Sequence, residues 1–333
     1  MEIKGKKVFI TGGAGFIGSH LVDRFLKERA GEVIVYDNFS TGKKEFIEHK
    51  DIKVIEGDIL NSELLNSEMK DVDIVSHHAA ELEVFTGINN AIHDLKTNIQ
   101  GTLNVLNAAL SNKVKKVIYA SSGGVYGQAK YIPEDENHPT IPHWPYGVSK
   151  LAGEKYCMQY SLLYGLPTVS FRYGIVYGPR EWYGRVLTLF IKRALNGQQP
   201  IIFGNGEQKR DYVYIDDVVE ANILAIKNDK VIANVFNLGG NNSYSIKYIA
   251  DLVLNLINPK LKPIYDNPKP GESSKFQPNR KRLPGELIDF VLDNSLISNI
   301  LNFQPKINFE HGIKKEIEWI KENLYFWNYE PRV

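Results

Sequence analysis

The stretch "KKVFITGGAGFIGSHLVDRFLKER" (6–29) passes from a short apolar run through a glycine loop into an amphipathic helical pattern. Gly12, Gly15 and Gly18 are spaced Gly-x-x-Gly-x-x-Gly. Glycine there permits a tight turn, close backbone approach to a diphosphate and close packing of helix on strand. The start of the helix offers free N–H groups and a partial positive charge to phosphates. Gly12, Gly15, Phe16, Ile17 and Gly18 are therefore candidates for the phosphate side of a dinucleotide site.

The second strand supports that reading. "EVIVYD" (32–37) ends in Asp37, 19 residues after Gly18. A carboxylate at that place accepts hydrogen bonds from the adenosine ribose hydroxyls and repels a 2′-phosphate, which selects NAD over NADP. The bland alternative is an ordinary strand-to-helix turn followed by an acidic strand end. Strand, loop, helix and acid in register favour the cofactor.

Outward from this unit the rhythm repeats. The runs at 52–58, 72–78, 115–121 and 167–172 are β-branched and largely apolar, as strands buried on both faces should be. Helical patterns lie between them, as at 97–110. Repeated strand–helix units predict an α/β fold, a Rossmann-like doubly wound parallel sheet. Beyond 173 glycines, prolines and aromatics become frequent, as in "RYGIVYGPREWYGR" (172–185), with helices expected near 186–196, 245–257 and 310–322. The expected division is a cofactor domain over 1–172 and a smaller C-terminal α+β substrate domain over 173–333, some segments returning to the first. Ligands of such sheets bind beyond the carboxyl ends of the strands, so the site is expected in the cleft between the two.

Composition narrows the function classes. The chain has 333 residues, a formal net charge of +1 and 43 % hydrophobic residues. Scattered charge gives no reason to expect nucleic acid as a partner. No apolar run approaches the roughly 18 residues that span a bilayer, and the start has no apolar signal region. The single Cys157 excludes an intramolecular disulfide and a cysteine-based zinc site, and no metal site is expected. A cytoplasmic enzyme is the default reading.

"WPYGVSKLAGEKY" (144–156) puts Tyr146 and Lys150 four residues apart in a helical pattern, on one face. An exposed Tyr–Lys pair is the ordinary explanation, but this one follows a dinucleotide half-site. "YASSGGVYG" (119–127), ending the preceding strand, adds Ser122. Oxidising a carbinol needs a base near neutral pH, and free tyrosine ionises near pH 10. An ammonium about 5 Å away, at an effective dielectric of about 20, stabilises phenolate by roughly 3 kcal/mol. Tyr146 is then the candidate base, Lys150 its electrostatic partner and ribose anchor, and Ser122 the residue that orients a substrate hydroxyl.

With these motifs in place the chain resembles the extended short-chain dehydrogenases/reductases, specifically the NAD-dependent sugar epimerase/dehydratase family, and within it the 4-epimerases. The resemblance spans nearly the whole chain through "TGGAGFIG", "YDNFSTG" (36–42), "HHAA" (77–80), "TNIQGTLNVL" (97–106), "SSGGVYG", "YGVSK", "RYGIVYGPR", "GNGEQKRDYVYIDDV" (204–218) and "PGELIDFVLD" (284–293). It implies that Asp37 and Asn38 hold the adenosine ribose, that Asp58 and Ile59 flank adenine, and that Ala79, Ala80 and Asn98 lie along the cofactor. It implies further that Arg210 and Arg282 bind a nucleotide-sugar diphosphate, a task suited to the planar guanidinium fork. Phe203 matches a residue beside the nucleotide base.

The activity so implied is nucleotide-sugar 4-epimerisation, of the UDP-glucose/UDP-galactose type, through a 4-keto intermediate. The alternatives are a 4,6-dehydratase or decarboxylase of the same family, or a non-catalytic NAD-binding sensor or scaffold. Dehydratases of the family carry Asp-Glu directly after the hydroxyl residue, where this chain has Gly123 and Gly124. Phe290 matches the position that guards the sugar pocket, and its bulk favours simple hexoses over N-acetylated ones. The resemblance also implies a homodimer joined through the helices around 90–110 and 147–164.

Overall fold

In a computed structural model of the chain, which describes residues 1–48 and 50–328, successive residues of the first strand serve two different cores. The last five residues of the expected second domain lie outside the described residues. Val8 and Ile10 of β1 (Lys7–Thr11) pack into one hydrophobic layer and Phe9 into the other. In β2 (Glu32–Asp37), Val33 and Val35 go one way, Ile34 and Tyr36 the other. Two-sided burial is why these strands are continuously apolar. Each fully buried aliphatic side chain contributes about 1.5–3 kcal/mol.

The chain continues through β3 (Lys53–Glu56), β4 (Ile74–His77), β5 (Lys116–Ser122) and β6 (Thr168–Tyr173). It then leaves the sheet for β7 (Ile175–Tyr177), β8 (Ile201–Phe203) and β9 (Lys209–Tyr214), and returns with β10 (Asn234–Leu238). The seven-stranded sheet runs β10-β6-β5-β4-β1-β2-β3, every pair parallel. Its order reverses between β1 and β4, and a crevice opens there beyond the strand ends.

Helices cover both faces. α1 (Phe16–Lys27) lies against one layer; α2 (Ser62–Glu68) lies on the other. The expected helix at 97–110 is preceded by α3 (Val84–Asn89) and α4 (Ala91–Asp94), then opens with wide π-type turns over 95–100 before α5 (Gly101–Ser111). α6 (Pro145–Tyr164) starts with proline at its first position and ends at Gly165, whose φ of 70° suits glycine. α5 and α6 join α2 on its side of the sheet.

Around the central β9 a second sheet collects β7, β11 (Ser243–Ser245) and, after β12 (Ile264–Asp266), β13 (Asp289–Phe290). β12 pairs separately with β8. α7 (Val186–Leu195), α9 (Ile246–Ile257) and, after α10 (Ser295–Leu301), α11 (Phe309–Glu322) surround this part, whereas α8 (Ile215–Lys227) packs on α1. β10 thus belongs to the first sheet, and α8 to the helices that cover it, although both lie past residue 173. The text of β10, "NVFNL", carries two asparagines, and Asn237 is fully buried. Its amide is satisfied from afar: it donates to the Glu134 carbonyl at 2.8 Å and accepts from the Tyr126 hydroxyl at 2.7 Å. No described helix is long and apolar enough to cross a membrane.

Candidate active site

The crevice between β1 and β4 is built by backbone contact. Gly12 has a φ of 68°, and a Cβ placed on it would lie 2.6 Å from the Ala79 nitrogen. A Cβ on Gly18 would lie 2.1 Å from the Gly12 carbonyl oxygen. No side chain caps α1 at Gly15, so its first turn is open to an anion. Gly12, Gly15, Phe16, Ile17 and Gly18 all line a cavity of about 360 Å³.

Asp37 closes one end of that cavity and is 7 % exposed. Its Oδ2 accepts from the Ala14 N–H and its Oδ1 from the Phe39 N–H, both at 2.9 Å. Burial pushes its carboxyl above the usual range, and the two N–H donors oppose that shift. Asn38, Asp58, Ile59, Ala79 and Ala80 also line the cavity. Asn38 donates to Asp58 Oδ2 at 2.9 Å, while the Tyr36 hydroxyl holds the Asp58 carbonyl at 2.8 Å. Asn98 lies just behind the cavity wall, next to Thr97 and bonded to Glu81, which both line it. It is 1 % exposed and does not line the cavity; instead it clamps the Glu81 backbone from both sides, at 2.9 and 2.8 Å, and donates to Asp94 and Ser149.

At the other end Tyr146 and Lys150, both on α6, face into the cavity. Ser122 ends β5, and its Oγ accepts from the Gly124 N–H at 3.1 Å. The electrostatics differ from the expected Lys150–phenolate pair. Burial raises the Tyr146 phenol above its usual range, and the influences opposing this are the Ser122 hydroxyl and the Arg185 guanidinium. The Lys150 ammonium lies 4.6 Å from the centre of the Tyr119 ring, and burial pushes it down to about 8. An arginine far along the chain thus shares the role expected of the neighbour one turn away. Arg185 and Tyr183, both lining the cavity, were not among the residues singled out by sequence. They sit in the aromatic "RYGIVYGPREWYGR" stretch with no spacing signal to mark them.

The remaining candidates form a second cluster. Arg210 Nη2 lies 3.5 Å from Glu286 Oε1, and Arg282 Nε 3.3 Å from Glu286 Oε2, so one carboxylate bridges both guanidinium groups. The Arg280 guanidinium lies 4.6 Å from the centre of the Phe203 ring, and Arg280 was not among the residues singled out by sequence. Phe290 pairs with Arg210 across β13 and β9. Its ring is buried with Val125, Tyr126, Leu287 and Leu292 and does not line the cavity. It presses on Gly123, where a Cβ would lie 2.2 Å from the ring edge.

An open helix start, a backbone cradle that a Cβ would fill, and a buried carboxylate at the far wall fit a dinucleotide. A bridged pair of arginines fits a second diphosphate. Among the described residues no group of three or more histidine, cysteine or carboxylate side chains could hold a metal ion.

Comparisons with known proteins agree with this geometry. The model of the NAD dependent epimerase/dehydratase family matches residues 8–239. A UDP-N-acetyl-alpha-D-glucosaminuronate decarboxylase of Bacillus cytotoxicus is 34 % identical, over 95 % of this chain and 98 % of that one. The dTDP-D-glucose 4,6-dehydratase of Homo sapiens is 31 % identical, over 97 % of this chain and 92 % of its own. The crystal structure of UDP-glucose 4-epimerase from Thermotoga maritima with UDP-glucose superposes with a TM-score of 0.85 at 34 % identity, covering 96 % of this chain and 99 % of that one. Three different reactions thus align along nearly the whole length.

Proposed function

The chain belongs to the NAD-dependent epimerase/dehydratase family, and we propose that within it the protein is a nucleotide-sugar 4-epimerase of the UDP-glucose/UDP-galactose type. The observation that carries this reading is the contact between Phe290 and Gly123. Elimination of a hydroxyl needs an acid and a base beside the sugar. The family's dehydratases place carboxyl side chains directly after the hydroxyl residue, whereas here the first such position is Gly123, and the Phe290 ring fills the space a side chain needs.

When bound, NAD supplies the carbon that takes a hydride from the sugar and gives it back. Tyr146 removes the proton of the C4 hydroxyl and returns it to the same oxygen once the 4-keto sugar has turned its other face to the cofactor. Ser122 holds that hydroxyl within reach of the phenol. Arg185 supplies positive charge that favours phenolate, and Lys150 anchors the ribose. Arg210 and Arg282 exchange their shared Glu286 for the substrate diphosphate, while Phe203 packs beside the nucleotide base. Asp37 and the open turn of α1 keep the cofactor fixed as the 4-keto sugar turns over.

One further observation favours a second reading. Arg185 opens into the cavity beside Tyr146, and a guanidinium there suits a sugar bearing a carboxylate, which is the substrate type of a decarboxylase. Proton NMR of the purified protein with UDP-glucose, dTDP-glucose and UDP-glucuronate separates the three. Interconversion of UDP-glucose and UDP-galactose is expected. A 4-keto-6-deoxy product identifies a dehydratase, and a pentose product with loss of CO2 identifies a decarboxylase.

A further inference from the structure

The segment "GPREWYGR" (178–185) leaves β7 for α7, and on the way it ties the substrate side of the molecule to the cofactor side. Two groups of contacts hold it. On α1, the Pro179 carbonyl accepts from His20 Nε2 at 2.9 Å, Arg180 Nη2 pairs with Asp23 Oδ2 at 2.7 Å, and Arg180 Nη1 donates to Ser19 at 3.3 Å. Burial pushes His20 down to about 4, so its ring is neutral near pH 7 and this tie carries no charge of its own. On the loop after Asp37, the Lys43 ammonium sits 4.4 Å from the centre of the Trp182 ring. Trp182 and Tyr183 stack on each other at 4.6 Å.

Both anchor points stand on the glycine-loop side of the cavity: the Lys43 N–H donates to the Ala14 carbonyl at 2.9 Å, and Lys50, further along the same loop, pairs with Asp23 of α1. Ser40, Thr41 and Gly42 line the cavity beside Asp37, and Tyr183 and Arg185 line it as well. The 178–185 segment thus borders the space that a dinucleotide along the glycine loop and Asp37 would fill, and it is fastened at two points to the wall that carries the glycine loop. The backbone of Arg180 has a φ of 69°, a left-handed conformation that costs about 1 kcal/mol or more in a non-glycine residue. That conformation goes with two contacts of its side chain on α1.

We propose that residues 178–185 are a strap that retains the cofactor, and that the Arg180–Asp23 and Lys43–Trp182 ties set its release rate. Retention has a chemical purpose in the reaction proposed above, on which this inference rests. A 4-epimerase reduces and reoxidises one cofactor molecule within each turnover, so release between the two steps leaves the sugar stranded as a ketone. A dehydrogenase that exchanges its cofactor every cycle has no use for such a fastening.

The test needs no sugar. Protein stripped of cofactor is reloaded with NADH, and release is followed by fluorescence after mixing with excess NAD. Lys43→Ala and Arg180→Gly cut the two ties without touching the cavity wall, and glycine accepts the φ at 180 without strain. Each should shorten the release half-time about two- to five-fold, in line with a lost cation–π contact at the surface or a partly exposed ion pair. The double variant should release faster still, and Lys43→Arg should stay close to the parent. The melting temperature of the stripped protein should hold in the single variants, which sets the strap apart from a general loss of stability. Parental release rates in the folded double variant overturn the strap, whatever the sugar experiments give. If the parent interconverts no nucleotide sugar but release still depends on both ties, the strap stands and the epimerase reading falls.

Discussion

Tyr146 shows what one atom does here. Removing its phenolic oxygen leaves the ring against the cavity wall, so Tyr146→Phe should bind NAD as the parent does while turnover falls by about two or more orders of magnitude; calorimetry and a coupled assay read the two separately. The Arg185 charge opposes the upward push of burial on the same phenol. Its loss in Arg185→Gln disfavours phenolate, so the acid limb of the kcat profile should move to higher pH. A limb that stays in place means that Arg185 does not tune the base. Asp37 makes the third point. A carboxylate that holds the adenosine ribose repels a 2′-phosphate, so titration of stripped protein should give far tighter binding of NAD than of NADP, and equal affinities would remove Asp37 from that role. Of these residues, Tyr146, Lys150 and Asp37 stand out in the sequence because local spacing marks them: one helical turn, and one strand after a glycine loop. Arg185 has no such mark. Its approach to Tyr146 depends on how a loop of the second half crosses the first.

α6 is the element on which the chemistry depends, and its position is set by a missing side chain. It crosses β5 where Gly153 meets Tyr119, and a Cβ on that glycine would lie 2.2 Å from the tyrosyl oxygen. Gly153→Ala should push helix and strand apart. Overpacking of this kind costs about 1–3 kcal/mol, and the shift carries Lys150, one turn earlier, away from its seat over Tyr119. Thermal denaturation should therefore show a lower midpoint, and cofactor affinity should fall with it; an unchanged affinity would show that α6 adjusts without moving Lys150. The helix was readable from its text, with proline at the start and glycine at the end. The tight crossing at Gly153 was not, because a glycine in a helical pattern looks the same whether it faces water or a tyrosine. The same limit applies to α5. Its apolar pattern is plain, but the wide turns ahead of it, which hold Asn98 in a buried clamp on the Glu81 backbone, are not.

At the scale of the whole molecule, the outer faces of the helices between 84 and 111 and of α6 remain apolar. Leu162 and Leu163 are 65 % and 67 % exposed, and Ile92 and Leu95 add to the surface of the helices that pack beside α6. We propose that two copies of the chain cover these faces in a two-fold four-helix interface. Light scattering at micromolar concentration should give a dimer mass, and Leu162→Glu with Leu163→Glu should give a monomer; a monomeric parent refutes the interface. The sequence by itself determined the parallel sheet, the glycine loop, the acid that follows it and the Tyr–Lys pair, because each is written in neighbouring residues and fixed by backbone geometry over a few turns. Only the tertiary structure decided the rest. It returned β10 to the first sheet and set α8 on α1, drew Arg210 and Arg282 onto Glu286, set Phe290 against Gly123, and brought Tyr183 and Arg185 to the cavity wall. Those contacts join residues tens to hundreds of positions apart, and they form because buried polar groups and apolar faces must find partners wherever the fold brings them.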